Sequence, residues 1–401
     1  MKKFKLPFGL ADGPDAIRLR GLLSASLMHF LNDLHPTILP AFLPDITSRL
    51  GLSLGRAGFL STAFGVINFL VQPAAGYLAD RRDEPTFTRW APMFTAGGAY
   101  FLSVAPNYAL ALLCVGIMGV GTAGFHPQSH ALTGLVSKSS NLGAYLAVFS
   151  AAGSLGSALS PLYAVSLLGT IGRSNIPLML IPLFLITFAA RGSLPKKSAL
   201  SGGEFPRSDG DFWKSTFHVV SATMPLVIIS VIRDGTSQGM RVFLPMLFTM
   251  RGENLEMAGG ALFAFTISMS LATLAGGKLG DMFGKTRVIV ISLAASPAFL
   301  LPAIFTEGVL SVSLFVVSGG ILAASNSLTL ALAHEYLPEN RGAASSIVMG
   351  VSWGIANILA GPIGMLGDAI GLKEALGFVS LSPLLVALYL GFRRYVLGRR
   401  L

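Results

Sequence analysis

Two short segments carry ionisable groups inside otherwise apolar chain. In MHFLNDLHPTILPAFLPD (28–45), His29 and Asp33 stand four residues apart on one helical face, with Asn32 and His35 flanking the acid. In VIRDGTSQGMRVFLP (231–245), Asp234, Gln238 and Arg241 fall along one stripe and Arg233 adjoins the acid. A carboxylate beside an imidazole suits proton exchange, and arginines suit an anionic substrate group. The competing reading is a charge-paired structural network. Two acids and two bases nearly balance, so some pairing is expected across a shared cavity. A third segment, GVGTAGFHPQSH (119–130), carries His126 and His130 one turn apart. Their spacing would suit a metal, but no carboxylate or thiol stands beside them in sequence, so no metal is expected. A histidine that titrates or hydrogen-bonds in a wet cavity is expected instead. Trp353 lies in mid-span, open to two readings: stacking on substrate, or ordinary packing.

These charges stand out because of the chain around them. Its 401 residues are 52% hydrophobic and 12% charged, whereas an ordinary soluble protein is about 25% charged. With a mean hydropathy of +0.67, an integral membrane protein is the reading. The net charge of +10 sits mostly in loops, which argues against a nucleic-acid partner. A single cysteine, Cys114, excludes a disulfide framework or a thiolate metal site. No cleavable leader is expected from the polar, basic first twenty residues.

Stretches free of charge, each long enough for the roughly 20 residues a spanning helix needs, number twelve when the interrupted segment 21–47 is included. The longest connection holds Gly-Gly, two prolines and mixed charge, as a linker does. The expected organisation is therefore all-α: an N-terminal six-helix half (1–190), a linker (191–216) and a C-terminal six-helix half (217–401). One face collects 21 Lys and Arg, including Lys2, Lys138, Arg341 and Arg400, and the other collects five. Both termini are accordingly expected to be cytoplasmic, with the basic loops against lipid headgroups.

The chain is also a duplication. Sliding it by 201 residues aligns 57–80 with 258–281 at nine identities in 24, and superposes Asp33 on Asp234, Gly153 on Gly354 and Pro161 on Pro362. Two such halves related by an axis along the membrane normal place a binding site near the midplane where they meet. A charge there costs about 2.5–3.5 kcal/mol on insertion scales, so it persists mainly where it faces a cavity or a partner. Pro36, Pro40 and Pro44 should bend the outer half of the first span. Gly153, Gly156 and Pro161, with Gly350, Gly354, Gly361 and Pro362, read as close-packing and bending devices. Twice, at the repeat lag, a span ends in a loop of one pattern: GYLADRR (76–82) and GKLGDMFGKTR (277–287). There Asp80 and Asp281 would cap or pair, Arg81, Lys285 and Arg287 would reach a neighbouring helix or headgroups, and the whole would latch one conformation of rocking halves.

Taken together, the twelve spans, the six-plus-six repeat and the loop signature at Gly76, Leu78, Asp80 and Arg81 resemble the major facilitator superfamily. In the first loop, Asp83-Glu84-Pro85 stands where that pattern continues Gly-Arg. HFLND, GTAGFHPQS and AHEYLPENRG are similar, more narrowly, to its fosmidomycin-resistance branch. The resemblance implies a proton-driven exporter of small drugs, including a phosphonate antibiotic, in a bacterial inner membrane. It implies Asp33 and His126 on the proton and substrate path, Asp80 and Asp281 in the latch, and Glu335 at the branch's acidic position near the end of the tenth span. Ser160-Pro161 stands where many antiporters carry Gly-Pro.

The expected function is proton-coupled antiport of a small organic compound by alternating access, with protons, substrate and bilayer as partners, no cofactor, and a monomer. The alternative is a symporter or facilitator importing a small organic anion. An enzyme is not expected: the linker is too short for a catalytic domain, and no P-loop, zinc motif or nucleophile elbow is present.

Overall fold

The computed structural model describes residues 14–137, 142–201, 212–338 and 344–395. Of the basic residues counted for orientation, Lys2, Lys3, Lys5, Lys138, Arg207, Arg341, Arg399 and Arg400 lie outside these. Among the described residues the chain is helical, without strands.

Twelve spans thread the bundle. Those of the first half are Pro14–Leu34 continued by Ile38–Leu50, Leu54–Asp80, Thr86–Val104, Tyr108–Val136, Leu142–Thr170, and a 3-10 turn, Arg173–Met179, running into Leu180–Ala190. The second half has Phe212–Met250, Leu255–Phe283, Lys285–Phe305, Gly308–Ala323 continued by Asn326–Tyr336, a π-helical turn Ser346–Val351 continued by Ser352–Ile358 and Ala360–Ile370, and Leu372–Tyr395. Ten are long and apolar enough to cross a membrane on length and composition. The other two are the broken first span and the 19-residue third.

The duplication is visible in the capping. Ser53 accepts a hydrogen bond from Arg56 N at the start of span 2, and its repeat mate Asn254 accepts one from Met257 N at the start of span 8. The copies part at the middle of spans 1 and 7. Span 1 breaks at His35–Thr37, where Ile38 N and Leu39 N reach back three residues to His35 O and Pro36 O. Pro36 and Pro40 supply no N–H to continue the α-helical ladder, so the turn tightens there. At the repeat lag span 7 has Ser237 and Arg241 in their place and runs 39 residues unbroken.

The halves meet along two main seams, and Ile38–Leu50 of span 1 also packs on span 7. Span 2 packs on span 11, and span 5 on span 8. Contacts from span 11 meet span 2 along 54–69, and Gly259 of span 8 touches Pro161 and Val165 of span 5. These contacts lie toward the end of the bundle that carries Leu54 and Leu255, called here the far end; the opposite, connector end carries the 81–85 loop and the chain between the halves.

That chain is docked. Ser198 donates its backbone N–H and its hydroxyl to the two oxygens of Asp83, at 2.7 and 2.8 Å. Lys197 N donates to Asp83 O, and Lys197 Nζ to Ala79 O at 2.8 Å. Glu84 takes Lys196 and Arg89, each at 2.6 Å, while Arg89 also holds Leu194 O. The two acids that replace Gly-Arg in the first loop thus hold a strap, residues 194–198, against the first half. The Ser198 hydrogen bonds keep the Asp83 carboxyl below its ordinary range, and Lys196 does the same for Glu84.

Candidate functional site

Asp33 lies at the end of the unbroken part of span 1, and three helices supply its surroundings. His29, one turn earlier, puts Nε2 at 3.1 Å from Asp33 Oδ2. From span 4, His126 Nε2 stands 3.6 Å from Oδ1. Asn32 donates Nδ2–H to Oδ1 at 3.0 Å and is itself oriented by Thr95, whose hydroxyl donates to Asn32 Oδ1 at 2.9 Å. Asn32 is fully buried. His130 completes a histidine cluster, its ring centroid 6.0 Å from that of His29.

The tautomer of His29 follows from its other nitrogen. Nδ1 lies 2.8 Å from Phe149 O, and a carbonyl can only accept, so Nδ1 carries the hydrogen. A neutral ring then faces the Asp33 carboxylate with a lone pair. At 3.1 Å that contact is attractive only when one proton sits between them, so the pair is a one-proton site. The ring is clamped in place: it stacks on Phe149 at 4.1 Å between centroids and leans on the backbone of span 5 at Gly153, where a Cβ would collide with Nε2. The sequence reading of no third ligand is corrected here. Asp33 arrives beside the histidines from another helix, and one donor atom each from His29, Asp33 and His126 lie within 4.8 Å of one another, close enough for a metal ion as well as for a proton.

In the second half, Arg233 donates Nε–H to Asp234 Oδ1 at 2.9 Å and Nη1–H to Thr329 and to Ser325 O. The expectation of ion pairs across the cavity is therefore also corrected: Asp33 is met by histidines of its own half, and Arg233 by its own chain neighbour. One-residue spacing lets a long guanidinium fold back, which is shorter than any reach across the seam. Gln238 does cross between helices, donating to Asn357 Oδ1 at 2.9 Å, and Asn357 in turn donates to Trp353 O. Trp353 sits edge-on to Phe64 of span 2, 6.0 Å between centroids, and so lies on the seam itself. Arg241, two turns beyond Asp234 on the same stripe, differs from all of these. No hydrogen bond or ion pair reaches its side chain from the described residues, and its Nε is buried without a partner.

The predicted latch residues lie at the connector end. Lys285 donates to Glu335 at 2.6 Å, tying the start of span 9 to the end of span 10 within one half. Asp281 and Arg287 are exposed, Arg81 stacks on Tyr77 at 3.5 Å, and the side chain of Asp80 lies outside the described residues. Of the close-packing glycines, Gly153, Gly156 and Gly361 leave no room for a Cβ, Gly354 is tight against the Phe69 ring, and Gly350 has open space.

Three features escaped the sequence. His35 donates Nδ1–H to Leu31 O, leaving Nε2 to accept from Tyr100, which bonds Tyr163 in turn at 2.7 Å; this buried chain ties the break in span 1 to spans 3 and 5. The strap on Asp83 is the second, signalled by the departure from Gly-Arg. The third is Asp368, at the far end of span 11, whose oxygens accept from Leu54 N and Gly55 N of the other half, both at 2.8 Å.

Twelve spans in two repeated halves, closed on a polar seam, define a membrane transporter. Residues 25–361 match the family model of the Major Facilitator Superfamily, and the chain belongs to that superfamily. It is 27% identical to the fosmidomycin resistance protein of Escherichia coli K12, over 91% of each chain. It is 25% identical to YfnC, an uncharacterized MFS-type transporter of Bacillus subtilis 168, over 91% of this chain and 90% of that one. Its fold superposes with a TM-score of 0.79 on an inward-facing, occupied bacterial homolog of the human lysosomal transporter Spinster, at 15% identity, covering 98% of this chain and 100% of that one.

Proposed function

We propose that this transporter exports a small organic anion in exchange for protons, by alternating access. Arg241 carries the reading. Its guanidinium is half-buried with Nε unpartnered, and the nearby Asp234 carboxylate is already hydrogen-bonded to Arg233, so an anionic substrate group would complete its pairing. Gln238, Asn357 and Trp353 border the same seam and supply amide and aromatic contacts. On the other half, His29 and Asp33 share one site for a proton, with His126 and Asn32 on the second carboxylate oxygen. A proton arriving there changes the charge facing the cavity, and so biases the halves between two openings.

The excess of Lys and Arg supports a cytoplasmic connector end and both termini inside. The relative named for fosmidomycin resistance supports outward flux across a bacterial inner membrane. Under this reading the far-end contacts close the outer side, and the open path leads inward.

The test is flux in proteoliposomes under an imposed pH gradient, with fosmidomycin and simple phosphonates and carboxylates as probes. Movement of the anion against an opposing proton gradient establishes exchange. Movement with the protons would establish import instead. Conversion of substrate without net movement would overturn transport as its role.

A further inference from the structure

We infer that Asp368 is the latch that holds the far end shut: a carboxylate of one half capping the helix N-terminus of the other. The inference rests on alternating access but not on the substrate or on protons. A helix start leaves backbone N–H groups without intrahelical partners, and a carboxylate placed there satisfies them while complementing the positive end of the helix dipole. Caps normally come from the same chain segment, as Ser53 does here for Arg56 N. Asp368 adds a second cap to span 2 from 313 residues away in sequence, with both oxygens used, on Leu54 N and Gly55 N at 2.8 Å each. This bond pattern exists only while span 11 lies against span 2.

The seam below the cap shows that the fit is specific to the closed state. Thr62 donates to Ile358 O and accepts from Gly361 N, both at 2.9 Å, so a second crossing bond pair lies two turns deeper. Between them Gly58 packs so closely on Ala360 O that a Cβ would overlap it. Backbone meets backbone at Gly58 and again at Gly364, where a Cβ would overlap Leu54 O, so the contact is close along its length. Asp368 is exposed at the rim of this seam, where water can replace it on the two N–H groups once the halves part. It is a positioning residue for the conformational cycle, with no contact to the polar site.

The test measures the halves directly. In a Cys114→Ser background, spin labels at Ser174→Cys and Glu307→Cys, exposed far-end positions in opposite halves, report the distance distribution without substrate. Asp368→Ala is expected to raise the ratio of long to short distances about fivefold, the effect of losing a helix cap. Asp368→Asn, which keeps one accepting oxygen and the residue's size, is expected to fall between. A ratio unchanged in Asp368→Asn and Asp368→Ala overturns the latch. Should the alanine variant fail to fold, the asparagine variant decides by itself, since its shift or constancy is read against the parent. Because neither anion nor pH gradient enters, a failed latch leaves the exchange reading intact, and a failed exchange assay leaves the latch intact.

Discussion

Arg233 turns its Nε to Asp234, its immediate neighbour, at 2.9 Å, in the same way that Asn32 turns its amide to Asp33 at 3.0 Å in the other copy. In both halves the residue before the acid orients it. This separates the two arginines of span 7, which looked equivalent as sequence: Arg233 is engaged and Arg241 is not.

Arg241→Ala is therefore expected to raise the apparent KM for the anion roughly 10- to 100-fold, the loss of a hydrogen bond to a charged group, with little change in melting temperature. Arg233→Ala is expected to show the reverse. It removes the hydrogen-bonded cation from the half-buried Asp234 carboxylate, a loss of roughly 1–3 kcal/mol of stability that thermal unfolding in detergent would register. Equal effects of the two substitutions on KM would count against Arg241 as the anion-binding group.

Asp33→Asn removes the carboxylate that shares a proton with His29. Anion exchange between the two sides at equal pH should persist, while accumulation driven by a pH gradient should vanish. Adding EDTA to the unmodified protein should leave both unchanged; a loss on chelation would assign the cluster to a metal.

Gly153→Ala introduces a methyl group where the His29 ring lies. The ring must leave Phe149 O and Asp33 together, so gradient-driven flux should fall as far as in His29→Ala, although Gly153 carries no ionisable group. Flux assays of the two variants side by side test this.

Asp83→Ala should free the strap, and hydrogen exchange at the amides of Lys197 and Ser198 should quicken at least about tenfold. The pH dependence has a definite sign. Since the Asp83 carboxyl is held below its ordinary value of 3.8, the docking it provides is complete above that value. It is lost as pH falls through the depressed one. Exchange at these amides, corrected for the intrinsic rate, should accordingly be flat across neutral pH.

Much of this was legible in the residues. Charge-free stretches marked the spans, and Pro36 and Pro40 marked the break, because each depends on properties local to a helix. What could not be read was partnership between helices. His126 looked short of a third ligand because Asp33 reaches it from span 1, which no spacing within span 4 reveals. Arg233 and Arg241 differ only in what surrounds them. Asp368 gave no signal in the sequence, since the N–H groups it caps belong to the opposite half.

Pro40 and Arg241 occupy one position of the duplicated unit. In the first copy it helps make a joint, at His35–Thr37, and in the second a continuous rod bearing a cation. Symmetry of descent has therefore not left symmetry of backbone: span 1 is two helices joined near its middle, whereas span 7 is one helix that carries a cation where its counterpart carries a proline.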